Sequence, residues 1–198
     1  MIRKALIPIA GKAIRLMPVT SVVPKAMFPL VDRHGCIRSV LHIILKEATS
    51  AGIEHVGVVI SPWQWEMLQQ YFDAVSEGGS GELLAHTEYI TQSSPKGFGD
   101  AVLKGADFVG DEPFMLMLGD HVYVEDRNKP RCVGQIAKAF NSIGGVAMIG
   151  VQPVSADELH KVGVVAGIPI QQDIYLCTDF VEKPDLLTAR QRLVTAGL

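Results

Sequence analysis

The feature that most constrains this chain is a repeated beat, in which short, continuously apolar runs of strand length alternate with amphipathic stretches of helix length. "ALIPIA" (5–10), "HVGVVI" (55–60) and "PFMLML" (113–118) are apolar without a break, so each reads as a strand buried on both faces. The last of these looks the most deeply buried. Between the first two, "RSVLHIILKEATSAG" (38–52) puts Val40, Ile43, Ile44 and Ala48 on one helical stripe and stops at Gly52. Further helices are expected over 64–75, 97–109, 132–142 and near 186–195. Further strands are expected over 81–90, 145–154, 162–167 and 174–181, with a flexible turn at 77–81. This alternation predicts an α/β fold of three layers, a Rossmann-like, mostly parallel sheet with helices on both faces. In such sheets ligands bind outside the carboxyl ends of the strands. The loops at 11–30, 92–100 and 119–126 are therefore candidates by position alone.

Length and charge narrow the partners. At 198 residues the chain reads as one domain, 1–198, with enough sequence to bury a core. A formal charge of −3 gives no basic footprint, which argues against a nucleic-acid partner. Cys36, Cys132 and Cys177 are scattered, with no zinc or redox spacing, as expected in a reducing compartment. The N-terminal apolar run is too short to span a membrane and is broken by Pro8. A cytoplasmic location without membrane attachment follows as the expectation, and a homo-oligomer is allowed.

Four segments carry side chains suited to chemistry. In "AGKAIRLMPVTSVVPKAMFPL" (10–30), Gly11 follows the first strand, where backbone N–H groups after a sharp turn can hold phosphate oxygens. Arg15 and Lys25 add charge-assisted donors. Taken alone, the glycine is more simply read as an ordinary strand-to-loop turn. In "QSSPKGFGDAV" (92–102), the Gln92 amide suits the imide edge of uracil or thymine, and Gly97 allows close approach at a helix entrance; a Ser-Pro turn into a helix is the plainer alternative. "LMLGDHVY" (116–123) ends a buried strand in Gly119-Asp120, which offers a carboxylate at the sheet edge to a hard divalent ion, or merely caps a turn. His121 reads as a loop residue. Finally, Gly163 in "VGVV" precedes "DFVEKP" (179–184), where Glu182 and Lys183 point to opposite faces if both lie on a strand. A solvated Glu–Lys pair stopped by Pro184 is the simpler reading.

The order of these signals is more specific than any one of them. A glycine turn with Arg15, then Pro24-Lys25, Gln92 and Gly97, Gly119-Asp120, Gly163 and Glu182-Lys183-Pro184 together resemble the sugar-1-phosphate nucleotidyltransferase family from residue 3 to about 185. "PKAMFPLVD" and "PKGFGDAVL" resemble its UTP–glucose-1-phosphate uridylyltransferases, whereas "GDHVY" is closer to adenylyl enzymes. The resemblance implies a sheet of the nucleotide-diphospho-sugar transferase type. Its partners would be a nucleoside triphosphate, UTP or dTTP favoured, and a sugar-1-phosphate, glucose-1-phosphate favoured, with Mg²⁺ as cofactor. Ala10 and Gly11 would wrap the nucleotide phosphates, with Arg15 on the pyrophosphate and Lys25 on the α-phosphate or the attacking sugar phosphate. Gln92 and Gly97 would read the pyrimidine, Asp120 would bind the metal, and Gly163, Glu182 and Lys183 would hold the sugar phosphate. The implied reaction is in-line attack by the sugar phosphate on the α-phosphorus. It needs positioning and charge neutralisation rather than a protein nucleophile.

Two departures from the family pattern are legible. Where the family loop runs roughly G-x-G-T-R, this chain has Gly11-Lys12-Ala13-Ile14-Arg15. An alanine at a position needing positive φ costs about 1–2 kcal/mol, and Ile14 replaces a hydroxyl with hydrocarbon beside charged oxygens. Family chains also run beyond residue 198, which implies that a C-terminal portion, with a second metal-binding Asp, is lacking. The main rival is accordingly a catalytically impaired nucleotide- or sugar-phosphate-binding or regulatory module of the same fold. A nucleotidyltransferase acting on phosphocholine or mannose-1-phosphate is a third reading.

Overall fold

The structure, a computed structural model, describes residues 1–77, 84–124 and 131–195. Within these the chain divides into two compact units, Met1–Met148 and Ile149–Leu198. Most of the expected turn at 77–81, the start of the expected strand at 81–90, and residues 125–126 of the third candidate loop lie outside the described residues.

The first unit is built on a parallel sheet of four strands: β1 (Lys4–Pro8), β4 (His55–Ile60), β5 (His86–Thr91) and β6 (Phe114–Leu116), in the order β5-β4-β1-β6. Every pairing is parallel, with Leu6 opposite Gly57 on one side and Leu116 on the other. The two faces separate cleanly by residue parity, because successive strand side chains point opposite ways. Ala5, Ile7, Val56, Val58 and Ile60 join one core, and Leu6 and Val59 the other. The first core is covered by three helices, α1 (Val40–Ser50), α2 (Trp65–Glu77) and α5 (Cys132–Ile143), through residues such as Leu41, Ile44, Leu68, Val133 and Ala137. The second is covered by α3 (Phe98–Lys104) and α4 (Ala106–Val109), through Ala101, Val102 and Phe108. Three layers result, as the alternation predicts.

The helix expected over 97–109 is broken at Gly105, where a Cβ would lie 2.5 Å from Leu6 Cδ1; α3 ends there so that the chain can pass close to β1. α1 begins at Ser39, whose Oγ accepts from the His42 N–H at 3.2 Å. Its stripe differs from expectation in detail, since Ile43 is only half-buried while Leu41 and Leu45 are fully covered.

Three further expectations are corrected. Residues 145–154 form no strand and are largely exposed; the apolar run has strand propensity, but among the described residues no strand pairs with it. "PFMLML" is an edge strand with Leu116 41% exposed, so β1 and β4, not β6, are the deeply buried strands. The segment 29–39, for which no strand is expected, folds as a two-stranded antiparallel hairpin of β2 (Pro29–Val31) and β3 (Ile37–Ser39). In the second unit β7 (Gly163–Gln171) and β8 (Ile174–Glu182) pair antiparallel, followed by α6 (Leu186–Arg192). No helix among the described residues is long and apolar enough to cross a membrane.

Candidate active site

In the first unit the candidate side chains gather at the carboxyl ends of β1, β5 and β6. Beyond β1, Ile9 still bonds Val59 O through its N–H at 2.8 Å. The carbonyls that follow are fixed by polar groups from the segment after β4. Buried Gln64 donates from Nε2 to Ile9 O at 3.1 Å, and Ser61 Oγ donates to Ala10 O at 2.7 Å. Gln64 is held in turn by the Ser61 N–H at 2.7 Å, a capping box that the spacing Ser61-Pro62-Trp63-Gln64 could have revealed. The start of the glycine loop is therefore anchored by two residues that lie outside the four segments expected to carry chemistry.

The loop then makes the bend that a glycine would make freely. Ala13 has φ 46° and ψ 48°, in the left-handed region. Its carbonyl accepts from the Leu16 N–H at 2.9 Å and from the hydroxyl of buried Thr20 at 3.1 Å. These two bonds hold the strained residue in place and open a short helical turn, Ile14–Leu16. Ile14 is 75% exposed, so its hydrocarbon lies at the surface of the loop. Gly11, Lys12 and Arg15 are also exposed, and Arg15 forms no ion pair with a described residue. Lys25 opens another helical turn whose Ala26 and Met27 are buried in the core, which fixes its backbone.

Lys25 and Asp120, 95 residues apart in sequence, meet: Lys25 Nζ donates to Asp120 Oδ2. Gly119 explains how Asp120 arrives there. A Cβ at residue 119 would overlap the Ile9 side chain and stand 3.2 Å from Pro8 O, so only glycine lets the chain cross the end of β1. His121 is exposed, as a loop residue. As a metal ligand set, the described residues hold no group of three or more His, Cys, Asp or Glu. One partly exposed carboxylate at a strand end nevertheless fits Mg²⁺, which takes one or two carboxylates and completes its shell with water and substrate phosphate oxygens.

Beside this edge lies a cleft of about 270 Å³, lined by Pro8, Ala10, Gly11, Gln92, Gly97 and Phe98 among others. It brings together four of the residues singled out from sequence. Gln92 follows β5, is 4% exposed, and bonds Ile60 O through its backbone N–H at 2.8 Å. Its side-chain nitrogen donates to Gly97 O at 3.3 Å and to Asp100 Oδ2 at 2.6 Å. Gly97 has φ 102°, a conformation that L side chains rarely adopt, and caps α3.

In the second unit Gly163 pairs with Glu182, and a Cβ on Gly163 would lie 3.0 Å from Glu182 Oε2 and 2.9 Å from the Phe180 ring. The glycine thus leaves room for the side chains across from it. The condition under which Glu182 and Lys183 would point to opposite faces, that both lie on a strand, is not met. Lys183 lies just past β8 at φ 50°, its N–H bonded to Val162 O, and its Nζ comes back to within 3.6 Å of Glu182 Oε1. The left-handed residue breaks the strand alternation that opposite faces require.

Comparison with known proteins identifies the family. A family model described as nucleotidyl transferase matches residues 4–198. The chain is similar to a UTP–glucose-1-phosphate uridylyltransferase of Bacillus subtilis, 34% identical over 213 aligned positions that cover 99% of this chain and 69% of the relative. It is also similar to UTP–glucose-1-phosphate uridylyltransferase 2 of Staphylococcus saprophyticus, 32% identical over 99% of this chain and 70% of the relative. Among solved structures it matches a UDP-glucose pyrophosphorylase complexed with UDP-glucose at a TM-score of 0.81 and 28% identity, covering 94% of this chain and 71% of that one. A UTP-bound UGPase from Acinetobacter baumannii matches at 0.77 and 25%, covering 94% and 69%. The family match and the full-length relatives cover almost the whole sequence, and the chain belongs to the nucleotidyl transferase family, among its sugar-1-phosphate nucleotidyltransferases.

Proposed function

We propose that this protein condenses UTP, or dTTP, with a sugar-1-phosphate, glucose-1-phosphate favoured, to give a nucleotide-sugar and pyrophosphate. The observation that carries this reading is the convergence of two features at one sheet edge. A cleft walled by Ala10, Gly11, Gln92 and Gly97 lies at the ends of β1 and β5, and the Lys25–Asp120 pair lies where β6 runs past β1.

In the proposed mechanism the backbone N–H groups after Ala10 and Gly11 wrap the triphosphate, and Arg15, exposed and without an ion-pair partner among the described residues, takes the pyrophosphate that departs. Lys25 steadies the α-phosphate or the attacking sugar phosphate by neutralising charge on the oxygens around the α-phosphorus. Gln92 and the Gly97 backbone face the pyrimidine. Asp120 is the residue that would hold Mg²⁺, which when bound neutralises phosphate charge. Gly163, Glu182 and Lys183 are the proposed sugar-phosphate residues: the glycine leaves room beside the carboxylate, which accepts sugar hydroxyls, and the ammonium meets phosphate. The sugar phosphate oxygen forms its bond to the α-phosphorus as the bond to pyrophosphate breaks, so positioning and charge complementarity supply the catalysis. The cytoplasm is the proposed location, with these two small molecules as partners and nucleic acid not among them.

Pyrophosphate release measured with Mg²⁺ and glucose-1-phosphate should be supported by UTP or dTTP and much less by GTP or ATP. Faster release with GTP would remove the pyrimidine assignment. Nucleotide binding without release from any sugar-1-phosphate would turn the reading into a binding module.

A further inference from the structure

The buried Gln92 amide has an orientation that its neighbours dictate. Its side-chain nitrogen faces Gly97 O at 3.3 Å and Asp100 Oδ2 at 2.6 Å. A backbone carbonyl can only accept, and an ionised carboxylate can only accept, so the amide atom between them must be the nitrogen. An amide nitrogen carries two hydrogens, and these two partners take both. What Gln92 keeps for a ligand in the cleft is its carbonyl oxygen Oε1, to which no described residue donates. Asp100 stands in the first turn of α3, close enough to the Gly97 cap that both bonds form at one helix entrance. Without the carboxylate, Gln92 could turn over and offer its NH₂ instead.

We propose that Asp100 is a positioning residue for base selection: by fixing the Gln92 amide it makes the cleft wall an acceptor. An acceptor there selects a base whose ring N3 carries a hydrogen, uracil or thymine. It disfavours cytosine, whose N3 presents a lone pair to the same oxygen. The inference rests on the reading of Gln92 as the base-reading residue, and Asp100 itself touches no base.

The test is equilibrium binding of UTP, CTP and N3-methyl-UTP by titration calorimetry on the full chain and on Asp100→Asn and Asp100→Ala. The wild-type chain should bind UTP best and discriminate against both analogues. Asp100→Asn, whose amide can face Gln92 with oxygen or nitrogen, should lose about tenfold of the UTP-over-CTP preference. Asp100→Ala should lose a similar amount, and circular dichroism checks that each variant is folded. If the wild type binds UTP and N3-methyl-UTP equally, the base-reading role of Gln92 is wrong. If it rejects N3-methyl-UTP yet either folded variant keeps the full UTP-over-CTP preference, Asp100 does not set it and the inference falls alone. A measurement on the wild type needs no variant: the Gln92 side-chain NH₂ resonances should exchange slowly with solvent with and without UTP. Rapid exchange would overturn the fixed orientation.

Discussion

The Gln92 corner and the Ala10–Arg15 loop lie at the same sheet edge and are built on opposite terms. Gln92 is buried, bonded through both its backbone and its side-chain amide, and set beside a glycine at φ 102°. Past its buried and anchored start at Ala10, the loop is largely exposed, carries Lys12 and Arg15 toward solvent, and holds its bend through two bonds to the carbonyl of a strained alanine. A neutral base edge is told from another by hydrogen bonds, and these discriminate only where water is excluded and the partner's orientation is fixed. A triphosphate is held by charge and by rows of N–H groups, which tolerate exposure and a looser frame. The same edge therefore divides into a rigid reader and an open anion cradle.

The largest expected effect tests the cradle side. Asp120→Asn should lower pyrophosphate release by about a hundredfold or more, while the fold and UTP binding persist; a variant with full rate would refute the metal-holding role of Asp120. A smaller effect is expected at the reader. Gln92→Ala should weaken UTP binding about tenfold and destabilise the chain by about 1–3 kcal/mol, because it empties a buried position and leaves Asp100 without its donor. Equal weakening for every nucleotide, measured by calorimetry, would show a general rather than a base-reading role. The smallest effect belongs to the loop departures. Ala13 already adopts the left-handed bend, and Ile14 lies at the surface. In the double change Ala13→Gly, Ile14→Thr, glycine relieves about 1–2 kcal/mol of left-handed strain but restores about 0.4–1 kcal/mol of unfolded-state entropy, so thermal unfolding should show a gain of up to about 1 kcal/mol and turnover should change by less than about tenfold. A hundredfold gain in turnover would instead mean that the loop is impaired and the cradle is the site's weak half.

Much of this arrangement was legible in the residues. The unbroken apolar runs of β1 and β4 announce a doubly covered parallel sheet, and the loops at the carboxyl edge of that sheet, after β5 and β6, hold Gln92, Gly97 and Gly119-Asp120. The failures share a cause. The run at 145–154 has the composition of a strand but no described partner, and pairing rather than composition makes a strand. The break at Gly105 and the return of Lys183 toward Glu182 depend on a close approach and on a local φ that periodicity does not encode. Thr20 and Asp100 look like ordinary polar residues until their partners are seen.

By itself, the sequence determined the layered α/β architecture, because burial on both faces leaves its mark in every residue of a strand. It also determined the types of side chain available for phosphate, base and metal, because chemistry is carried by residue identity. Only the tertiary structure decided that Lys25 meets Asp120 across 95 residues, that Ala13 bends as a glycine would, and that Asp100 holds the Gln92 amide one way round. Those are facts of distance and orientation. They arise where separate strands end side by side, and no local pattern of residues specifies them.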